Sequence, residues 1–325
     1  MKPSLVELRH HAAVTGRPGE ERVAVSVGSD GNVIALWAPA EAVSALTSST
    51  TQPGWAVFPD ARSSRPVAAR VSVHTPKRAT VAELRELDLA HVTLQPLSQG
   101  RTLVVGARCR WRSDAPERNA RVYDSAGEIV AEATLGDGIE HVFTTPSDHV
   151  WVGYFDEGVY GNYGWGETGS PAPVGRHGLV RFTPELGPGW QFPYEAGPSA
   201  GAISDCYALN VHGEQAWACY YTDFPVVRVR DGAVSAWRNT VSGARALITD
   251  GFRVALAGGY RDEHDRLAVG TVGDEALHVT GTYRLVLPGG GQLPPSAQQF
   301  GRGPDLHVLA GGDWYRLGLE DVPGT

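Results

Sequence analysis

The sequence has few cysteines and no long hydrophobic run. Its three cysteines, Cys109, Cys206 and Cys219, are too few and odd in number for a disulfide framework, which predicts buried free thiols. The N-terminal segment MKPSLVELRHHAAV has no apolar core of the kind that signal peptides carry. No run approaches the ~18 apolar residues of a membrane span. These absences predict a cytoplasmic protein that has no membrane partner.

The motifs that mark metal and nucleophile chemistry are also missing. The sequence contains no HExxH, CxxC, EF-hand loop or GxSxG elbow. Gly164, Gly166 and Gly169 fit a GxGxxG pattern, but no strand–helix unit surrounds them, so the pattern does not predict a nucleotide site. No cofactor is indicated. A divalent cation such as calcium, held by single ligands from several repeats, is a hypothesis that no motif supports.

Basic residues are scarce in the second part of the chain. The net charge is −8; residues 1–125 carry 16 basic and 12 acidic side chains (+4), and residues 126–325 carry 12 and 24 (−12). Nucleic acid is therefore not expected as a partner, because binding phosphates needs a concentrated basic face. A cationic ligand would suit the acidic part, although excess acid also serves solubility.

Glycine, proline and alternating apolar runs are abundant. With 40 glycines, 22 prolines and 42% hydrophobic residues, the composition favours many short strands joined by turns. Six hairpins can be superimposed, each with a mixed first strand, a polar turn and a strongly apolar second strand. They lie at residues 22–37, 91–108, 140–155, 205–221, 244–260 and 296–313. Two further strand-like runs follow each of the second to fifth hairpins, for example ARVYDS and EIVAEATL.

Four antiparallel strands in each repeat, at spacings of ~37–70 residues, resemble the blades of β-propeller proteins, without the signature of any particular family. The resemblance implies an all-β fold, a single six-bladed β-propeller spanning residues 1–325. The blades are expected at about 22–89, 90–137, 139–195, 203–239, 243–288 and 295–320 plus 4–11. The last repeat lacks its outer strand, and Ser4–His11, which resembles residues 80–90, is predicted to supply it and close the ring. Thr80–Glu83 also fits a helix capping box, but the N-terminal match favours a strand.

Long loops are expected on one end of this fold. Strand alternation places all connections between second and third strands on the same end, which predicts a working face there. These loops lie at residues 38–66, 109–119, 155–177, 221–225, 259–266 and 311–313. Segment 155–177 is rich in glycine and aromatic residues, so it is interpreted either as a lid or as a plug. Segment 38–66, with a Ser/Thr run before Trp55, is a second lid candidate or an exposed insertion.

Carboxylates and aromatic residues follow several second strands. Under an enzyme hypothesis (hydrolase, lyase or isomerase), Asp156 or Asp223 would be the base and His141 or His177 the acid partner. Under a binding hypothesis, the ligand contacts would come from the loops and from the starts of the first strands. These predicted ligand-binding residues are Tyr163, Trp165, Tyr221, Glu157, Asp262, Asp205, Arg245 and His91.

The acidic and charged residues singled out above also have purely structural explanations. Aspartate favours turns because it caps its own backbone, and opposite charges near the inner strands would satisfy one another. The two function classes, binding module and enzyme, therefore stay open, with a slight preference for binding. The expected partner is a small molecule, peptide or protein on the long-loop face, and the protein is expected to be a monomer.

Overall fold

The computed structural model describes residues 4–51, 54, 57–75, 79–197 and 199–323, and most regular structure in these ranges is β-strand. The first strands are β1 (Ser4–Glu7), β2 (Arg9–Ala13), β3 (Glu20–Val27), β4 (Val33–Pro39), β5 (Ser49–Thr51), β6 (Val57–Pro59), β7 (Arg62–His74), β8 (Ala79–Leu89), β9 (Val92–Pro96), β10 (Thr102–Gly106), β11 (Ala120–Tyr123), β12 (Ile129–Ala133), β13 (Ile139–Thr144), β14 (Val150–Tyr154), β15 (Leu179–Phe182) and β16 (Pro188–Gln191). The later strands are β17 (Asp205–His212), β18 (Gln215–Tyr221), β19 (Val226–Arg230), β20 (Ala233–Trp237), β21 (Ala246–Thr249), β22 (Arg253–Ala257), β23 (Arg266–Val272), β24 (Leu277–Leu287), β25 (Gly291–Gln292), β26 (Gln298–Arg302), β27 (Asp305–Ala310) and β28 (Asp313–Gly318).

Helices are short and lie in connections. The α-helices of the described ranges are α1 (Val43–Leu46) and α2 (Asp156–Tyr160). Single 3₁₀ turns occur at Ala40–Ala42, Ser98–Gly100, Arg261–Glu263, Pro288–Gly290 and Leu319–Asp321. None of the helices in the described residues is long and apolar enough to cross a bilayer. The predicted all-β class is confirmed.

The chain divides into two compact units, and the first is Gly16–Gln191. It contains three antiparallel sheets with the orders β3-β4-β7-β8, β9-β10-β11-β12 and β13-β14-β15-β16. Strands β5 and β6 form a separate two-stranded ribbon. Each four-stranded sheet is one hairpin followed by two more strands, as the repeat pattern predicts.

The second unit comprises Met1–Thr15 and Phe192–Thr325. Two of its sheets follow the same pattern, β17-β18-β19-β20 and β21-β22-β23-β24. A third group of strands runs β26-β27-β28-β2, so an N-terminal strand does provide the outer strand of the last repeat. The bounds of the predicted segment Ser4–His11 were wrong, because Ser4–Glu7 pairs in parallel with β24 of the preceding sheet, and the strand that pairs with β28 is Arg9–Ala13.

The hydrophobic cores lie between neighbouring sheets within each unit. In the first unit, Ile34 and Val71 of one sheet pack in one cluster with Leu94 and Val104 of the next. In the second unit, Ile248, Leu267, Val308 and Leu317 share a cluster in the same way. The second strands are almost fully buried, which explains why they read as continuous apolar runs.

One buried amide in each unit links the hairpins of three neighbouring repeats. Gln95 on β9 donates to Ser26 Oγ on β3 at 2.6 Å and accepts from the backbone N–H of Thr144 on β13 at 3.2 Å. Asn210 on β17 donates to the carbonyls of Leu247 (2.7 Å) and Gly303 (2.9 Å), and it accepts from the Gly303 N–H. Both side chains are fully buried. An amide suits this position because it donates and accepts at once.

An arginine recurs on the third strand, paired across the sheet with a residue of the second strand. The pairs are Trp37–Arg70, Val104–Arg121, Trp151–Arg181, Trp217–Arg228 and His307–Arg316. In the three tryptophan pairs the guanidinium carbon lies 5.6 Å from the indole centroid, so the arginine covers the ring. The sequence therefore contains a repeated feature besides the hairpins, one that was not identified from the sequence.

Two connections are more ordered than the sequence predicts. Segment 38–66 was expected to be one long loop, but it contains α1 and the β5–β6 ribbon, and β7 begins at Arg62. Trp55, part of that lid candidate, lies outside the described residues. Segment 155–177 begins with α2. Ala79–Leu89 is a strand, so the preference for a strand over a capping box at Thr80 is confirmed.

Candidate functional site

A cavity opens in the Gly16–Gln191 unit where three predicted long loops come together. Its volume is about 320 Å³, near the lower end of the range typical of small-molecule pockets. Its lining residues are Thr50, Phe58, Arg110, Asn162, Tyr163, Gly164 and Glu167. They come from the β5–β6 ribbon, from the segment after β10 and from the glycine-rich segment after α2.

A buried ion pair lies beneath this cavity. The Arg108 guanidinium donates to both carboxylate oxygens of Asp137, at 3.0 and 2.9 Å, and the two side chains are 3% and 1% exposed. The Asp137 carboxylate also accepts the backbone N–H of Cys109 at 2.7 Å. Burial raises the pKa of Asp137, and the hydrogen bonds from Arg108 offset part of that rise. Glu157 on α2 lies 2.5 Å from the same guanidinium, so α2 is anchored to Arg108.

The Tyr163 ring lies against two arginines. The guanidinium carbon of Arg108 is 4.2 Å from the ring centroid, and that of Arg110 is 4.7 Å away. The Tyr163 hydroxyl donates to the Pro59 carbonyl at 2.6 Å, which connects this segment to the end of β6. Phe58 contacts the same ring edge-on, with centroids 6.5 Å apart. The ring therefore has a fixed position at the cavity wall.

Trp165 holds the glycine-rich segment against the loop that follows β10. Its side chain is 4% exposed, and its indole N–H donates to the Cys109 carbonyl at 2.8 Å. The ring packs on Trp111 with centroids 5.5 Å apart, and the Trp111 N–H donates to the Tyr163 carbonyl. Gly164 has a φ of +89°, and a Cβ there would lie 2.7 Å from the Trp111 carbonyl oxygen. Close backbone approach thus requires glycine at this point.

Some polar groups at the cavity already have hydrogen-bond partners, and others are exposed. The Thr50 hydroxyl donates to Asp60 at 2.7 Å, and Asn162 Oδ1 accepts the backbone N–H of Tyr163 at 2.7 Å. Arg110 and Glu167 are both exposed side chains that line the same cavity. The site therefore offers one cation, one anion, a hydroxyl, an amide and two aromatic rings, a mixture that can orient a small polar ligand.

The residues predicted for catalysis in this unit lie in different settings. Asp156 is exposed in the first turn of α2, and its carboxylate accepts the Glu157 N–H at 2.7 Å. His177 Nε2 accepts from the Arg176 guanidinium at 3.2 Å. His141 on β13 stacks near Phe143, and its buried Nε2 has no hydrogen-bond partner among the described residues. His91, predicted to bind ligand, hydrogen-bonds the Ser48 carbonyl through Nε2 at 2.6 Å and so holds the end of the α1 segment. Their functional roles stay predictions.

The other predicted residues lie in the second unit, around an aromatic cluster. The rings of Tyr207, Tyr221, Phe224 and Tyr260 contact one another with centroid separations of 5.6–6.4 Å. Asp205 pairs with Tyr221 across β17 and β18.

Near this cluster the remaining predicted residues are largely exposed. Asp223, at a φ of +59°, follows β18 directly. Asp262 lies in a 3₁₀ turn, where its carbonyl accepts from Arg284 at 2.8 Å. Arg245 precedes β21 and packs over Gly258. Asp223, proposed as a base, therefore belongs to a different unit from His141 and His177.

Sequence reasoning missed most of the cavity lining. Of the lining residues only Tyr163 was predicted to bind a ligand, and Gly164 was named only for a glycine pattern that predicts no site. Thr50, Phe58, Arg110, Asn162 and Glu167 were not singled out. The detectable signal was the run Arg108-Cys-Arg110-Trp-Arg112, an alternation of cations beside an aromatic residue at the start of a long loop. In the structure Arg108 and Arg110 both lie against the Tyr163 ring, whereas Arg112 pairs with Glu117 and does not line the cavity.

No group of three or more His, Cys, Asp or Glu side chains in the described ranges is placed to hold a metal ion. A divalent cation remains a hypothesis without structural support.

The YxzG family model matches residues 197–255, less than half of the chain. No curated protein matches the sequence significantly. Among solved structures, the chain is similar to apo AztD from Citrobacter koseri, at 12% identity over 98% of this chain and 92% of that one, with a TM-score of 0.43. It is also similar to U3-55K, at 10% identity over 97% and 99% of the two chains, with a TM-score of 0.45. A protein of unknown function from Bacteroides caccae matches 68% of this chain and 67% of its own length at 11% identity, with a TM-score of 0.38. Similarity at this level identifies neither a family nor a function.

Proposed function

We propose that this protein is a binding module that holds a small polar molecule in the cavity formed by Thr50, Phe58, Arg110, Asn162 and Glu167 around Tyr163. The observation that carries the proposal is the convergence of separate segments on one cavity of about 320 Å³. Small-molecule sites typically combine a concave surface with a few polar groups that fix orientation.

The supporting framework makes the cavity preformed. Three features hold the segments around the cavity in place independently of any ligand: the buried Arg108–Asp137 pair, the Tyr163–Pro59 hydrogen bond and the packed Trp165 ring. Preformed sites lose little conformational freedom on binding, which favours affinity. Binding is preferred over catalysis here because the carboxylate and imidazole groups predicted for acid–base work are not among the lining residues.

The test fills the cavity from one side. Thr50 is exposed on β5, so Thr50→Trp places a large ring in the cavity without disturbing the core. Ser49→Trp is the matched control, because neighbouring strand residues point to opposite faces. Purified protein is passed through gel filtration with a defined equimolar mixture of amino acids, glycyl dipeptides, organic acids, sugars and amines, and retained compounds are identified by mass spectrometry.

We expect the unmodified protein and Ser49→Trp to retain the same compound, and Thr50→Trp to retain at least about tenfold less, equivalent to about 1.4 kcal/mol. Retention of nothing by the unmodified protein, or equal retention by Thr50→Trp, would refute a ligand site in this cavity.

We also propose that the six four-stranded groups are the blades of one six-bladed β-propeller closed by Arg9–Ala13. Two observations support this assignment. The groups share the order of one hairpin followed by two strands, and the buried Gln95 and Asn210 amides hydrogen-bond to neighbouring repeats. A single compact domain of this length should have a radius of gyration of about 20 Å in solution scattering. A value several ångströms larger would contradict a single closed ring.

A further inference from the structure

The two charged residues of the cavity wall do not neutralise each other. Arg110 and Glu167 line the same cavity, yet no ion pair within 4.0 Å joins them in the described part of the chain. Opposite charges that share a cavity without pairing leave room for a ligand that carries both complementary charges.

Arg110 is available because neighbouring carboxylates are engaged elsewhere. Glu117 pairs with Arg112 at 2.6 Å, and Asp137 and Glu157 both pair with Arg108. The Arg110 guanidinium instead stacks on the Tyr163 ring at 4.7 Å. Stacking leaves the edge of a guanidinium, where its N–H donors lie, open to a carboxylate.

Glu167 is similarly available on the facing segment. Its backbone carbonyl accepts the N–H and the hydroxyl of Ser170, both at 3.0 Å, and this turn sets the position of the residue. Its carboxylate makes no ion pair among the described residues, and the side chain is exposed toward solvent. An ammonium group is the complementary ligand chemistry.

Resting on the proposed function, we infer that the ligand of this cavity is a small zwitterion of amino-acid or dipeptide size, with its carboxylate on Arg110 and its ammonium on Glu167. The volume of about 320 Å³ fits a molecule of this size. Phe58 and the edge of Tyr163 provide an apolar wall for the part between or beside the two charges.

The experiment measures calorimetric affinities for the standard amino acids and for glycyl dipeptides. The tightest of these is then compared with two analogues, one lacking the amino group and one lacking the carboxylate. Each analogue is expected to bind at least about tenfold more weakly, because it leaves one charged side chain of the cavity without its hydrogen-bonded partner.

Two charge-neutral variants assign the charges. In Arg110→Gln the zwitterion and its decarboxylated analogue should bind equally, and in Glu167→Gln the zwitterion and its deaminated analogue should bind equally. Arg112→Gln is the matched control, because Arg112 belongs to the same run but does not line the cavity, and it should keep both preferences.

The outcomes separate the two proposals. If a sugar, amine or organic acid from the mixture is retained and lost in Thr50→Trp while no amino acid or dipeptide binds, the zwitterion inference is wrong and the binding function stands. The zwitterion inference is also wrong if either analogue binds as tightly as the parent zwitterion. If no compound is retained at all, both proposals fall.

Discussion

Removal of the Asp137 carboxylate should destabilise the protein strongly. In Asp137→Ala the Arg108 guanidinium stays buried and loses two hydrogen bonds, and the Cys109 N–H loses its acceptor. Breaking one side of a buried ion pair typically costs about 3–5 kcal/mol. Because Glu157 still lies 2.5 Å from the guanidinium, we expect a loss of unfolding free energy of about 3–4 kcal/mol.

The assay is equilibrium unfolding in urea, monitored by tryptophan fluorescence. The dependence of the unfolding free energy on urea concentration is compared between variants. Glu275→Ala is the control, because the Arg238–Glu275 pair is 68% and 77% exposed and its loss should cost less than about 1 kcal/mol. A double variant, Arg108→Met with Asp137→Leu, should recover at least half of the loss, since apolar replacement of a whole buried pair is often neutral. A loss under about 1 kcal/mol in Asp137→Ala, or a double variant as unstable as the sum of the single changes, would refute the reasoning.

Three further predictions concern the buried polar groups. Asn210→Leu removes hydrogen bonds from the Leu247 carbonyl, the Gly303 carbonyl and the Gly303 N–H, although the Gly303 carbonyl keeps the Thr249 N–H as a donor. This change should cost about 2–3 kcal/mol in urea unfolding, so a cost below about 1 kcal/mol would be contradictory. Burial lowers the pKa of His307 to about 3, with Arg302 and Arg316 nearby, so the unfolded chain takes up a proton below about pH 6.5 that the folded protein does not bind. Stability should therefore fall by about 2 kcal/mol between pH 7 and pH 5, and His307→Phe should remove that part of the pH dependence. The Trp217 and Trp237 rings stack on each other with centroids 5.4 Å apart, and the Arg228 guanidinium carbon lies 5.6 Å from each centroid. Arg228→Met keeps a hydrocarbon chain beside this stack but loses the charge, and thermal unfolding should report a loss of about 1–2 kcal/mol. An unchanged thermal unfolding midpoint in Arg228→Met would mean that the hydrocarbon part of the side chain, and not its charge, stabilises the contact with the tryptophan rings.

The sheet pairings were predictable from the sequence because they are local. Each hairpin joins two runs with a short turn, so neighbouring strands follow from alternation and turn residues. The division of the N-terminal segment was not predictable, because Leu8 alone separates Ser4–Glu7 from Arg9–Ala13 and only the packed structure assigns them to different sheets.

The repeated arginine was not predictable because its distance along the chain varies. From Trp37 to Arg70 it is 33 residues, and from His307 to Arg316 it is 9. Insertions between the second and third strands change the spacing and leave the cross-strand pair intact. A fixed-period comparison cannot detect such a feature.

The cavity was only partly predictable. The topology indicated which loops share an end, and three of them meet at the cavity. The sequence prediction concentrated on carboxylates and histidines and therefore left out Arg110. The Arg110 guanidinium stacks on the Tyr163 ring, a contact that the sequence does not show. Trp165 was predicted to bind a ligand, but its buried ring packs on Trp111 and is not among the lining residues. No sequence signal distinguishes a ring that packs inside the protein from one that contacts a ligand.

The position of β1 and β2 also has a consequence for synthesis on the ribosome. These strands are synthesised before their partners β24 and β28, which emerge roughly 280–305 residues later, after about 15–60 s at ordinary translation rates. The Gly16–Gln191 unit needs no such delayed partner and can complete its sheets while the leading strands are still unpaired. Nascent chains arrested before Asp313 should therefore be cleaved by protease near His10 but not within β9 or β10, and protection of His10 in those chains would contradict this order of events.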